Sequence, residues 1–92
     1  MKSKDTKRTE ALARRTLDAA TQRTAVEFWE QAKREDLTLS GRYADTDPVS
    51  SKIHANQAEM DEAYVKLYTR KLQSAERDIH NLRVKLGMEK GA

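Results

Sequence analysis

Two histidines, His54 and His80, are the side chains in this sequence best suited to metal binding or proton transfer at neutral pH. Both fall in the C-terminal half, which we predict to be one helix. At helical rise they lie about 39 Å apart, so they share neither a metal ion nor a catalytic centre. We expect both to be ordinary residues on the polar face of that helix.

Carboxylates cluster at Asp45 and Asp47, with Glu35 and Asp36 nearby in the sequence. The run has neither the central glycine nor the closing glutamate that a calcium-binding loop requires. Capping of the following helix explains Asp47 without an ion. The sequence therefore predicts no metal site here.

No nucleophile has an activating partner in the sequence. Ser50 and Ser51 fall in the first turn of a predicted helix, where serine is common, and no histidine is placed to activate them. Gly41 stands apart from the other glycines, so no phosphate-binding loop exists, and the chain has no cysteine. We expect a protein that is not an enzyme and binds neither metal nor cofactor.

The composition limits how these residues are positioned. The chain has 92 residues, of which 37% are hydrophobic and 36% are charged, so its apolar residues must lie on narrow stripes. Chains of this kind often complete their core with a partner. No signal peptide or membrane-spanning segment is evident, and we expect a cytoplasmic protein that does not enter membranes.

The breaker residues divide the sequence into two helices within one domain, residues 1–92. We predict a helix over about 6–35, a connection over about 36–47 and a long helix over about 48–87. Asp5 or Thr6 is expected to cap the first helix, Asp47-Pro48 to begin the second, and Gly87 to end it. The predicted fold is an all-α, two-helix antiparallel hairpin whose long C-terminal helix extends as a coiled-coil-like segment.

The second helix carries a seam with the seven-residue repeat of a coiled coil. Asp61 is the one charged member, and we expect it at the solvent-accessible edge of the buried face. The seam positions are Ala58, Asp61, Val65, Tyr68, Leu72, Ala75, Ile79, Leu82 and Leu86.

A second apolar stripe on this helix comprises Ile53, Met60, Tyr64 and Leu67, so residues 53–68 are predicted to be buried broadly and residues 72–86 narrowly. The first helix offers a stripe of Ala13, Leu17, Ala20 and Thr24 and then a bulkier apolar region. Four large residues are expected to hold the hairpin together: Phe28, Trp29, Met60 and Leu67.

Two alternatives follow for residues 72–86. They pack on Ala13, Leu17 and Ala20 of the same chain, or they pair with the same segment of another chain. The second alternative predicts a protein interface made by Tyr68, Leu72, Ala75, Ile79, Leu82 and Leu86. Attraction of Lys71 to Glu76, and of Asp78 to Arg83, slightly favours a parallel over an antiparallel pairing.

A basic strip on the first helix supports a different function. Its members lie within about a third of the helix circumference, opposite Ala13, Leu17 and Ala20. Such a strip suits nucleic-acid phosphates. It comprises Lys4, Lys7, Arg8, Arg14 and Arg15.

The leading hypothesis is a non-enzymatic helical interaction module, a small accessory, regulatory or assembly component whose partner is a second copy or a larger protein. The alternative is a small nucleic-acid-binding protein that uses the basic strip.

Overall fold

The chain forms two long antiparallel helices joined by residues 44–47. The computed structural model describes residues 3–90, in which α1 spans Lys4–Tyr43 and α2 spans Pro48–Lys85. No strand occurs within residues 3–90. The all-α hairpin predicted from the sequence is confirmed.

The hairpin is a single layer of structure. It measures 66 × 28 × 13 Å along its principal axes, so it is two helices wide and one helix thick. Such a molecule has two broad faces, and no further helix or strand of residues 3–90 covers either of them. Neither helix of the described residues has an apolar stretch long enough to cross a membrane.

The first helix ends eight residues later than predicted, because residues 36–43 continue it instead of forming the connection. Thr38 and Gly41 have low helix propensity, which is why the sequence predicted an earlier end. In the structure the Thr38 hydroxyl donates to the Arg34 carbonyl at 2.9 Å. Ser40 contacts Ser51 of α2, and these contacts hold the last two turns in place.

The ends of α2 agree with the prediction. The Asp47 carboxylate accepts hydrogen bonds from the Ser50 amide at 3.1 Å and the Ser50 hydroxyl at 2.7 Å. Both bonds lower the pKa of Asp47. At the other end Gly87 adopts φ 74°, and the amides of Gly87 and Met88 donate to the carbonyls of Val84 and Arg83. The cap of α1 is Ser3, not Asp5 or Thr6 as predicted.

The predicted seam of α2 is the line along which the two helices meet. All nine of its members are buried or half-buried, and the same repeat continues towards the loop through His54 and Ser51. The matching seam of α1 consists of Leu12, Arg15, Ala19, Gln22, Val26, Trp29, Lys33, Asp36, Ser40 and Tyr43.

The α1 seam differs from the predicted stripe. Ala13, Leu17, Ala20 and Thr24 are all exposed, and Leu17 has 68% of its surface accessible. Polar residues occupy half of the true seam, and four of the five, Arg15, Lys33, Asp36 and Ser40, have partners on α2. An apolar pattern therefore pointed to the wrong side of this helix.

The fully buried core is small. It consists of Ala19, Ala58 and Ala75 with the carboxylate of Asp61. Of the residues predicted to hold the hairpin, Trp29 lies at the helix contact, whereas Phe28, Met60 and Leu67 are 62%, 54% and 42% exposed. Residues 53–68 are therefore not the broadly buried region that the sequence predicted.

The corrected end of α1 has a direct test in Gly41→Ala. A Cβ at Gly41 meets nothing within 4 Å, so the change should raise the free energy of unfolding by about 0.5–1 kcal/mol. Gly87→Ala is the matched control and should lower it by a similar amount, because Gly87 has φ +74°. Urea unfolding followed by circular dichroism measures both. No gain from Gly41→Ala would place residue 41 outside the helix.

Candidate interaction surface

The six predicted interface residues lie between the two helices of the same chain. Tyr68, Leu72, Ile79, Leu82 and Leu86 are half-buried, and Ala75 is 1% exposed. This is the first of the two alternatives, packing within one chain, although the partners on α1 are not the predicted ones. The segment 72–86 therefore has little free apolar surface to offer another molecule.

Large apolar side chains remain exposed on one broad face instead. They form a row along α2, joined by one residue of α1, and between 38% and 62% of each is accessible. Tyr64 lies four residues after Met60 and three before Leu67, so α2 presents them on the same side. We call this set the apolar row: Phe28, Ile53, Met60, Tyr64 and Leu67.

Aromatic contacts connect the two helices within the apolar row. Trp29 stacks on Tyr64 with ring centroids 4.3 Å apart and an interplanar angle of 18°. Phe28 meets Trp29 edge-on at 5.0 Å, and Tyr68 continues the series from Tyr64 at 6.5 Å. The stack fixes Phe28 and Tyr64 on the same broad face, which we call the apolar face.

The opposite broad face, here called the charged face, carries ion pairs. Lys33 contacts Glu62 at 2.7 Å across the two helices, which lowers the pKa of Glu62. A shallow groove joins this pair to Lys66 and Leu37. Leu37, which lines this groove, is a large exposed apolar residue on this face. The apolar row therefore lies on one broad face of the hairpin, and the Lys33–Glu62 pair lies on the other.

Polar residues form the part of the seam nearest the loop. Ser40 and Ser51 exchange hydrogen bonds, each hydroxyl donating to the other residue's carbonyl at 2.9 and 2.7 Å. The His54 Nδ1 lies 2.9 Å from Asp36 Oδ1, and the His54 ring stacks on Tyr43 with centroids 6.0 Å apart. This histidine is therefore part of the helix contact and not an ordinary surface residue.

Asp61 is 1% exposed, which corrects the prediction that it lies at the solvent edge. The Gln57 amide donates to its Oδ1 at 3.2 Å, whereas its buried Oδ2 has no donor. Asp36 is a neighbour that raises the pKa of Asp61. Two ionised carboxylates repel each other, so a protonated Asp61, which could donate to Asp36, suits the arrangement.

The two carboxyl groups have opposite pKa shifts. Burial raises the pKa of Asp61, and the neighbouring Asp36 raises it further. The hydrogen bond from Asp61 lowers the pKa of Asp36, and His54 lowers it as well. The shared proton of the pair is therefore held by Asp61 in preference to Asp36.

The basic strip is divided by the fold. Arg15 turns towards α2, where it contacts Asp78 at 2.6 Å and Asp18 at 3.0 Å, and these two bonds raise its pKa. Arg8 lies 3.5 Å from Asp5. The remaining members, Lys4, Lys7 and Arg14, are exposed.

The residues considered for metal binding stay apart. Within residues 3–90 no three histidine or acidic side chains are arranged to hold a metal ion. His80 contacts Glu89 at 2.7 Å, and Glu89 also contacts Arg83. Both contacts lower the pKa of Glu89 and hold the segment after Gly87 against α2.

Sequence reasoning found the members of the apolar row on α2 but assigned them to the interior. The width of the apolar pattern could have shown that these residues are exposed. Each helix of a hairpin has only one neighbouring helix, which covers the seam but not a second apolar stripe beside the seam.

The chain matches no protein-family model, no characterised protein and no solved structure.

The shared proton has a test in Asp61→Asn, which keeps the size of the side chain and supplies a permanent donor to Asp36. A raised pKa stabilises the fold at low pH, and that stabilisation is lost as pH rises through the folded pKa. Wild type should therefore lose stability relative to Asp61→Asn as pH rises. The variant should be more stable by about 1–2 kcal/mol above that pKa.

Urea unfolding at a series of pH values measures the difference. Asp45→Asn, in the exposed connection, is the control and should show no such trend. A difference that stays constant with pH would place Asp61 in water, as the sequence had predicted.

Proposed function

We propose that the hairpin is a non-enzymatic protein–protein interaction module that binds through its apolar face, as a small accessory, regulatory or assembly component of the cytoplasm. The observation that carries this proposal is the apolar row. Five large apolar side chains lie exposed on one side of the molecule, and the Lys33–Glu62 ion pair lies on the other. Contiguous exposed apolar surface of this kind is typical of binding sites.

The energetics of the hairpin support the same proposal. Its buried core contains three alanines and no large apolar side chain. Burial of apolar area is the main source of folding free energy, and alanine supplies little of it. Covering the apolar row removes from water the large side chains that the chain itself leaves exposed. Association and stability are therefore coupled in this protein.

Nucleic-acid binding through the basic strip is the second candidate function, and it has less support than the interaction module. Arg15 and Arg8 both face carboxylates, which leaves Lys4, Lys7 and Arg14 to contact phosphates. A salt-sensitive mobility shift that is lost in Lys4→Glu/Lys7→Glu/Arg14→Glu would favour this alternative. The proposed module predicts no such shift.

Photo-crosslinking in the native host tests the proposed module. The photoreactive residue p-benzoylphenylalanine replaces Leu67 on the apolar face or, as the matched control, Lys66 on the charged face. We expect several-fold more adducts from position 67 than from position 66, because a bound protein covers only the apolar face. Equal labelling at the two positions, or none at either, would contradict the proposal.

A further inference from the structure

We infer that the protein bound to the apolar face is a second copy of this chain, related by a two-fold axis parallel to the helices. The inference rests on the proposed function and names its partner. The product is a four-helix bundle in which α1 of each copy lies over α2 of the other. Contacts within one hairpin define which residues would meet.

The shape of the hairpin fits this partner. A layer 13 Å thick becomes a two-layer domain when a second layer of the same length covers it. A stable interface needs about 800 Å² of surface from each partner, and a broad face of 66 by 28 Å is large enough to supply it. A second copy provides a layer of matching length and width.

Cross-helix contacts set the height of each residue along the hairpin. Arg15 is level with Asp78, Trp29 with Tyr64, and Ser40 with Ser51. An axis parallel to the helices keeps these heights and exchanges α1 for α2. Phe28 then meets Tyr64 and Leu67 of the second copy.

Side-chain sizes on the apolar face are complementary in this arrangement. The half-buried residues that flank Phe28 on this face of α1 are the small Ala25 and Ala32, and Asp18 and Leu39 lie further along the same side. The facing part of α2 carries the bulky Met60 and Leu67, both exposed. Bulky side chains of one copy therefore pack over small ones of the other.

Charges on the apolar face are complementary in the same arrangement. Arg14 precedes Phe28 by fourteen residues, which is two seven-residue repeats, so both lie on the same side of α1. Lys71 and Asp78 follow Tyr64 at intervals of seven residues, so these three lie on one side of α2. Arg14 and Asp78 border one depression of this face. Exchange of the helices then places Arg14 over Asp78 of the second copy.

A second pair of opposite charges lies further along the same face. Asp18 and Lys71 border a common depression with Arg15, so their heights differ by no more than about one helical turn. Exchange of the helices brings Asp18 near Lys71 of the second copy. Each pair occurs twice in the two-fold assembly, and exposed pairs of this kind select orientation more than they add affinity.

The opposite orientation lacks this complementarity. In that orientation the two-fold axis lies between the two layers and is perpendicular to the helices. It places α1 of one copy over α1 of the other, and α2 over α2. If the rotation is centred on Phe28, Arg14 approaches Arg42 of the second copy, both on the same side of α1. Like charges then face each other, so the parallel axis is favoured.

Analytical ultracentrifugation of the purified full chain tests the partner. We expect twice the 10.5 kDa chain mass at micromolar concentration. Met60→Lys/Leu67→Lys should shift the mass towards the monomer, whereas Leu37→Lys, an exposed leucine on the charged face, should remain a dimer. A wild-type monomer at hundreds of micromolar would overturn the inference, whatever the variants do.

Disulfide trapping tests the orientation, since the chain has no cysteine of its own. A mixture of Thr21→Cys and Ser74→Cys chains should form a covalent heterodimer on oxidation. A mixture of Thr21→Cys and Glu35→Cys chains should not form a heterodimer, because those positions meet when the axis is perpendicular to the helices and centred on Phe28. The reverse pattern of trapping would contradict the parallel axis.

Failure of this inference is distinguishable from failure of the proposed function. If position 67 forms adducts with other proteins and the purified chain is monomeric, the proposed interaction module stands, but its partner is not a second copy of this chain. No preference for position 67 would remove both.

Discussion

Two helices packed side by side share a single line of contact, and this constraint determines the rest of the structure. Close approach along that line admits small side chains, and Ala19, Ala58 and Ala75 are the ones that become fully buried. Larger apolar side chains are displaced to the flanks of the seam, where one neighbouring helix cannot cover them. The stability of the hairpin therefore depends on its full length, so α1 extends beside the whole of α2. The constraint also explains why a chain with so few buried apolar residues carries an exposed apolar row.

The polar part of the seam gives the contact its register. Asp36, His54 and Asp61 satisfy one another only when the helices are aligned as observed, and so do Ser40 and Ser51. Sliding one helix past the other would leave the Asp61 carboxyl buried without its partner, at a cost that the small apolar core could not offset. Apolar contacts alone permit several alignments of two repetitive helices. Here the loop end of the seam specifies one alignment, and the apolar and alanine positions further along pack accordingly.

The seven-residue repeat made the seam of α2 predictable, and cap chemistry at Asp47 and Gly87 made its ends predictable. The seam of α1 was not predictable in this way, because Arg15, Gln22, Lys33 and Asp36 occupy positions that an apolar pattern would leave to the surface. Their burial depends on partners such as Asp78 and Glu62, which are close in space but far in sequence. The same dependence explains the length of α1. Its last two turns have low helix propensity, and contacts with α2 that no local signal records hold them in place.

The two broad faces have opposite consequences for association. A layer with apolar row residues on both faces would bind copies of itself without limit, since each added layer would present a fresh apolar surface. In this hairpin the charged face carries the ion pair of Lys33 with Glu62, and both side chains are favourably hydrated when this face is in contact with water. Burying this pair under a layer that offers it no opposite charge costs more than the attraction between Lys33 and Glu62 returns. A second hairpin on the apolar face would therefore turn its own charged face outward, and the assembly would close at two layers.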